Sequence, residues 1–302
     1  MSCNPLQTEL LGVTLKNPVI AASGTFGFGH EYAELFDVSR LGGVSGKGLT
    51  LHGSAGNDGI RLMETPAGML NSIGLENPGV ERFVKEEAPY MRSLGCAVIA
   101  NLGGHSTEDY LTGARMLNDA DIDILELNIS CPNVKAGGMA FGLLPECAAD
   151  ITRRVKEVSR HPLMVKLTPN APDLVAVARA CEEAGAGALS LVNTFLGMAI
   201  DVAHKRPVFD NIYAGLSGPA ILPIALRMVH QVCKAVRIPV VGMGGIATAR
   251  DALAFLMAGA YAVQVGSMTF AQPRAMLDII DGLMAYCKEN SLYNISEIRG
   301  IV

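Results

Sequence analysis

The sequence of 302 residues contains no tryptophan, and aromatic residues make up only 5% of it. A core must therefore be built from aliphatic side chains, as in sheets that helices cover on both faces. No apolar stretch reaches the roughly 20 residues that a membrane span needs. The longest, residues 188–200, is interrupted by Asn193 and Thr194. Residues 1–11 contain neither a basic nor a long apolar segment, which predicts no secretory signal. We therefore expect a soluble, cytoplasmic protein.

The cysteines and charges exclude several other classes of protein. Seven cysteines occur, an odd number without any C-x-x-C pair, which predicts a reducing compartment and no iron–sulfur or zinc site on this chain. The six histidines show no metal-ligand spacing, so we expect no metal. The 24 lysines and arginines are scattered and the net charge is −5, which argues against a nucleic-acid partner.

Short apolar runs alternate with amphipathic segments along the chain. The predicted strands are residues 19–23, 43–48, 97–102, 124–129, 163–167, 188–193, 240–243 and 262–266. The predicted helices are residues 80–94, 108–118, 147–158, 174–184, 221–236, 249–257 and 275–288. Such alternation predicts a parallel sheet with right-handed crossovers, and eight units close into a (β/α)8 TIM barrel. We expect one domain over residues 1–302, with a hairpin of residues 8–10 and 13–15 closing the bottom of the barrel.

Polar side chains occur at or near the carboxyl ends of six different predicted strands. They are Ser23, Lys47, Asn101, Asn128, Lys166 and Asn193. In this fold catalytic groups sit where the strands end. Structural capping explains one or two such residues more easily than six, so the pattern predicts an active site at this face.

The segment 128–135 follows the fourth predicted strand and carries the reactive group. Cys131 is the only side chain nearby that can give or take a proton near neutral pH. Pro132 stiffens the turn, and the glycine-rich residues 136–142 suit a lid. The alternative is a buried, inert cysteine, which is the commonest role of a free cysteine.

Two further features indicate anionic ligands. The last two predicted strands end in Gly244-Gly245 and in Gly266-Ser267, and each pair precedes a helical pattern. Loops at these two places form the usual phosphate site of a barrel, although glycines can also serve only for tight turns.

Two lysines at the ends of apolar strands also need anions. An unpaired ammonium at such a place would be costly, so Lys47 and Lys166 each require a partner. An anionic ligand could supply it, and the alternative is a buried salt bridge with Glu126 or Glu64. Neutral amides are also available, and they complement the alternating N–H and C=O groups of a pyrimidine ring. The amides are those of Asn71, Asn128 and Asn193, the last followed by Thr194.

The run N-I-S-C-P-N-V-K at 128–135, followed by Gly137-Gly138 and Phe141-Gly142, resembles the active-site loop of class 1 dihydroorotate dehydrogenases. These flavoenzymes oxidise dihydroorotate to orotate in pyrimidine biosynthesis, and the resemblance covers nearly the whole chain. It implies that Cys131 is the base that removes a proton from C5 of the substrate while C6 gives a hydride to FMN.

The resemblance also implies the other site residues. Those expected to bind substrate are Lys47, Asn71, Ser72, Ile73, Gly74, Leu75, Asn128, Asn193 and Thr194. Those expected to bind FMN are Ser23, Lys47, Gly48, Asn101, Asn128, Lys166, Val192, Gly218, Gly244, Gly245, Gly266 and Ser267.

The loop is most similar to that of class 1B, in which electrons reach NAD through a second subunit carrying FAD and a [2Fe–2S] cluster. The chain has no Rossmann G-x-G-x-x-G and no clustered cysteines, so NAD requires that partner. The resemblance implies a heterotetramer of two copies of each subunit, with a homodimer of this chain. A quinone acceptor is not expected, because the chain begins almost directly at its barrel and has Cys131 where the membrane-linked class has serine.

Three alternatives stay open at this point. One is a fumarate-dependent class 1A enzyme, whose loop differs at only a few residues. Another is a dihydropyrimidine dehydrogenase that acts on uracil-type rings with the same barrel, FMN and cysteine loop. The third is a non-redox, phosphate-binding aldolase or isomerase in which Lys166 forms a Schiff base.

Overall fold

The computed structural model describes residues 4–130 and 141–302 and contains a closed barrel of eight parallel strands. The strands are β1 (Val19–Ala21), β2 (Gly43–Ser45), β3 (Ala97–Leu102), β4 (Ile124–Asn128), β5 (Leu163–Lys166), β6 (Ala188–Leu191), β7 (Val240–Met243) and β8 (Ala262–Val265). Each pairs with the next along the chain, and β8 pairs with β1. The predicted (β/α)8 fold is confirmed.

Helices surround the barrel close to the predicted positions. The long helices are Thr107–Leu117, Pro145–Val158, Leu174–Glu183, Leu222–Cys233, Ala249–Met257 and Ala275–Glu289. Before β3 the chain forms Val80–Arg82, the π-helical Phe83–Glu87 and Ala88–Ser93. Short helical turns are His30–Ala33, Val38–Arg40, Pro219–Ile221, Met268–Ala271 and Ile295–Ile298. No helix in the described parts of the chain is both long and apolar enough to cross a lipid bilayer.

The N-terminal hairpin closes the bottom of the barrel, as predicted. Thr8–Leu10 pairs antiparallel with Val13–Leu15, and Leu10 and Leu15 are fully buried. These two leucines pack against an apolar interior cluster that includes Ile20, Ile99, Met164 and Val241. Burial of such side chains stabilises the barrel by roughly 1.5–3 kcal/mol each. The lower half of the barrel is thus a dry core, and chemistry is confined to the opposite end.

One element was not predicted: a four-stranded antiparallel sheet built from two loops, which we call the loop sheet. Its strands, in spatial order, are Phe195–Met198, Tyr213–Ser217, Gly68–Asn71 and Leu62–Thr65. One face buries Leu70, Phe209 and Ala214 in a small separate cluster. A two-stranded ribbon of Ile200–Asp201 and Arg206–Pro207 extends from it. The apolar run at 188–200 therefore splits into β6 and a strand of another sheet.

The predicted strand ends were also too late by two or three residues at three places. Ser23 lies two residues beyond the end of β1, Gly48 three beyond β2, and Asn193 two beyond β6. These residues lie in the loops that follow the strands, where a side chain can extend across the carboxyl ends of the barrel strands.

Candidate active site

A cavity of about 590 Å³ opens between the carboxyl ends of the barrel strands and the loop sheet. This volume lies within the range of small-molecule and cofactor sites. Eighteen of the twenty predicted site residues line it: Ser23, Lys47, Gly48, Asn71, Ser72, Ile73, Gly74, Leu75, Asn128, Lys166, Val192, Asn193, Thr194, Gly218, Gly244, Gly245, Gly266 and Ser267. Residues from widely separated loops thus converge on one space.

Two predicted residues stand apart from this set. Asn101 is fully buried beneath the cavity, with its amide in contact with other side chains of the barrel interior. Cys131 lies outside the described residues. Its chain neighbour Ser130 lines the cavity and is largely buried.

The two lysines face the cavity. Lys166 is only 4% exposed, and Lys47 is partly buried. Among residues 4–130 and 141–302, no hydrogen bond or ion pair involves the ammonium group of either lysine. Burial lowers the pKa of Lys47, an effect that Glu76 opposes and Arg61 reinforces. The salt bridges to Glu126 or Glu64 that the sequence left open are therefore not formed, and two cations are available to an anionic ligand.

The glycine turns after β7 and β8 border the same cavity. Gly244 and Gly245 adopt positive φ angles of 126° and 75°. A Cβ atom on Gly245 would lie 2.8 Å from both the carbonyl oxygen of Gly218 and the backbone nitrogen of Leu222. The turn after β7 and residues 218–222 therefore meet here with no room for a side chain. Residues 244–247, which lead into helix Ala249–Met257, line the cavity, and a glycine turn that leads into a helix is the arrangement that binds phosphate.

Amide side chains form another part of the cavity wall. Asn71 donates from Nδ2 to the carbonyl oxygen of Gly215, 3.1 Å away, which ties it to the loop sheet. Asn193 accepts from the backbone N–H of Thr194 at 2.8 Å and donates from Nδ2 to the Ser130 hydroxyl. The wall is held by hydrogen bonds of the protein itself, so its remaining polar atoms are preorganised for a ligand.

A buried carboxylate lies directly beneath the cavity and was not predicted as a site residue. Glu126 is fully buried, and four side chains donate to it: Ser45 (2.9 Å) and Asn101 (2.6 Å) to Oε2, and Ser190 (2.7 Å) and Gln264 (2.8 Å) to Oε1. Burial alone raises the pKa of this carboxyl, but the charge of Lys166 and these hydrogen bonds more than offset it, so the pKa lies below its ordinary value. The group is an anion.

This polar layer leaves a signal in the sequence. Ser45, Glu126, Ser190 and Gln264 come from β2, β4, β6 and β8, and side chains of alternate strands form one layer in such a barrel. Three polar residues and a carboxylate, each inside an apolar strand, could have identified the layer before the structure. Ser130, whose hydroxyl donates to Oδ1 of Asn128, was also missed.

The five cysteines within the described residues are poor candidates for a base at neutral pH. Burial raises the pKa of Cys96 to about 11, and those of Cys181 and Cys233 to about 12. Burial also raises the pKa values of Cys147 and Cys287. Within the part of the chain that the structure describes, no group of three His, Cys, Asp or Glu side chains could hold a metal ion.

Comparison with known proteins yields one family. Residues 5–286 match the family model described as dihydroorotate dehydrogenase. Among curated relatives, the protein from Petrotoga mobilis is 52% identical over 98% of this chain and 99% of its own length. Relatives from Alkaliphilus metalliredigens (49%, 98% of each chain) and Bacillus mycoides (51%, 98% of this chain and 96% of its own) are similar to the same extent. All three are named dihydroorotate dehydrogenase B (NAD(+)), catalytic subunit.

Proposed function

The chain belongs to the dihydroorotate dehydrogenase family, and from that premise we propose that it oxidises (S)-dihydroorotate to orotate in pyrimidine biosynthesis, as the catalytic subunit of an NAD-linked enzyme. The observation that carries the proposal is the composition of the cavity. It brings together glycine turns suited to phosphate, two ammonium groups that form no ion pair with any described residue, and a set of amides. A phosphorylated flavin and a pyrimidine carboxylate need these three features together.

FMN fits the residues present. The turns at Gly244-Gly245 and Gly266-Ser267 would hold its phosphate, and Lys166 would face the ring. Ser23, Gly48, Val192 and Gly218 line the space between these groups. When bound, the flavin supplies the acceptor for the two electrons that leave the substrate.

The chain's own residues bind the substrate and remove the proton. Lys47 would hold the substrate carboxylate, while Asn71, Asn128 and Asn193 would pair with the ring edge. Such a site rejects analogues that leave its buried amides unpaired. We assign to Cys131 the removal of the proton from C5. Ser130, the residue before it in the chain, lines the cavity, which supports this assignment.

The partner and the compartment follow from the same premise. We propose that a second subunit carries FAD and a [2Fe–2S] cluster and that the complex contains two copies of each chain, joined through a homodimer of this one. The five cysteines within the described residues are all free of disulfide bonds, which is consistent with a cytoplasmic enzyme.

The experiment that tests this function combines spectroscopy with turnover. The purified chain should be yellow, orotate should perturb its flavin spectrum, and dihydroorotate should reduce an artificial dye. Uracil-type rings should be poor substrates, because they lack the carboxylate that we assign to Lys47. A colourless chain that borohydride traps with a carbonyl substrate would instead indicate a Schiff-base enzyme at Lys166.

A substitution at Lys166 tests the placement of the flavin ring. Lys166→Ala should weaken FMN binding by about 10- to 100-fold, since a charged hydrogen bond is worth roughly 1.5–3 kcal/mol. It should also make the midpoint potential of any retained flavin more negative, because the cation favours the negatively charged reduced ring. Lys156→Ala, on an exposed part of helix Pro145–Val158, is the matched control. An unchanged or higher potential in the Lys166 variant would mean that this lysine is structural.

A further inference from the structure

The interior of the barrel changes abruptly from apolar to polar just below the cavity. The odd-numbered strands contribute Ile20, Ile99, Met164 and Val241 to the dry cluster above the hairpin. In the next layer the even-numbered strands contribute Ser45, Glu126, Ser190 and Gln264. A layer of aliphatic side chains would fill this space without the cost of burying a charge. The charge therefore calls for an explanation beyond packing.

The hydrogen bonds around Glu126 are complete. Each carboxylate oxygen accepts one hydroxyl and one amide donor, from four strands of the barrel. The donors hold the carboxylate on the barrel axis and compensate its desolvation. It has no ion pair with a described residue. Its charge is thus fixed in place but not neutralised by contact.

A cation, Lys166, lies a layer above this anion. In the register of β5 and β6, Lys166 is opposite Ser190, whose hydroxyl donates to Glu126. In the register of β4 and β5, Lys166 is opposite Asn128, two residues beyond Glu126. Lys166 thus stands between the carboxylate below and the cavity above. Between two charged groups in a buried site, electrostatic effects are much stronger than in water.

We propose that Glu126 is the charge-balancing residue of the site, which cancels part of the field that Lys166 exerts on the cavity and thereby holds down the reduction potential of the bound flavin. The proposal rests on the proposed function, since the ligand concerned is the flavin. The cavity floor then carries a cation and an anion at fixed positions. A flavin that gains negative charge on reduction is attracted by Lys166 and repelled by Glu126.

The test is Glu126→Gln, which removes the charge and keeps the shape. The new carboxamide NH₂ can face Ser190 and Gln264, because the hydroxyl can rotate and the Gln264 amide can turn to present Oε1, which has no hydrogen-bond partner within the described residues. The Oε2 position stays an acceptor for Ser45 and Asn101. We therefore expect the variant to fold.

The expected result is a more positive midpoint potential at neutral pH. The ratio of the affinities for reduced and oxidised FMN should rise about tenfold. For a two-electron couple, a tenfold change in this ratio raises the midpoint potential by about 30 mV. Ser190→Ala is the matched control, because it removes one donor to the same carboxylate but keeps the charge. Ser190→Ala should lower the melting temperature of the protein and leave the midpoint potential of the flavin unchanged. Glu126→Asp, which also keeps the charge, should stay close to the wild type.

Two results would overturn the proposal: an unchanged or lower potential in Glu126→Gln, or equal shifts in the Gln and Asp variants. If Glu126→Gln does not fold, the double variant Glu126→Gln with Lys166→Ala, in which neither charge is left uncompensated, replaces it. The midpoint potential of the double variant should exceed that of Lys166→Ala alone by the shift expected for Glu126→Gln. Equal potentials in these two variants would contradict the charge-balancing role of Glu126. A failure of the proposed function is separate, because a wild-type chain without flavin has no potential to measure.

Discussion

Replacement of Cys131 by alanine should abolish most dihydroorotate oxidation while FMN and orotate remain bound. Loss of a general base typically costs on the order of 10² to 10⁴ in rate. Cys131→Ser should also be poor at neutral pH, because a hydroxyl is a much weaker acid than a thiol and a poor base in its neutral form. The measurement is dye-linked turnover, with orotate affinity read from the flavin spectrum.

Cys233→Ala is the matched control for this substitution. Cys233 lies at the end of helix Leu222–Cys233, away from the cavity, and burial raises the pKa of its thiol to about 12. Its loss should change stability slightly and turnover little. Near-normal turnover by Cys131→Ala would remove Cys131 from the mechanism.

The second large effect concerns the electron acceptor. The isolated chain should reduce an artificial dye, should reduce fumarate little, and should reduce NAD not at all until the electron-transfer subunit is added. The sequence offers no Rossmann motif for NAD and no clustered cysteines for an iron–sulfur centre, so the electrons must leave the chain. Turnover with dihydroorotate and each acceptor, with and without the partner, measures this directly.

The controls separate a missing partner from a damaged chain. Dye reduction by the same preparation shows that the catalytic subunit is intact. Cys131→Ala combined with the partner should form NADH as slowly as it reduces the dye, because the partner cannot replace the proton acceptor. Brisk fumarate reduction by the isolated chain would instead favour the fumarate-dependent class.

The barrel could be predicted because each strand and helix is local in sequence. Apolar runs of four to six residues and helical repeats define β1 to β8 and the long helices to within a few residues. The cavity lining could be predicted as well, since strand ends in such a barrel share one face. Asn101 shows the limit of that rule. It ends no strand but lies within β3, and its side chain points into the interior beneath the cavity.

The loop sheet could not be predicted for a different reason. Gly68–Asn71 and Tyr213–Ser217 are short and pair across more than 140 residues of chain, as the contact between Asn71 and Gly215 shows. No local periodicity reports such a pairing. Glu126 was missed because a lone carboxylate in an apolar strand can also be a salt-bridge partner. Polar residues in three other strands could have indicated the layer, but which side chains donate to the carboxylate is known only from the structure.

The loop sheet also constrains how this enzyme can diverge. Its central ladder joins the loop after β2 to the loop after β6, and both loops carry residues that line the cavity. An insertion within either strand of this ladder would shift the register by which Leu70 faces Leu216, and a shift of one residue would turn each side chain to the opposite face. The paired strands of the two loops can therefore accept substitutions but not insertions. New ring specificities on this scaffold should arise by substitution at fixed positions, with paired changes on the two loops, rather than by the loop insertions that diversify most barrels.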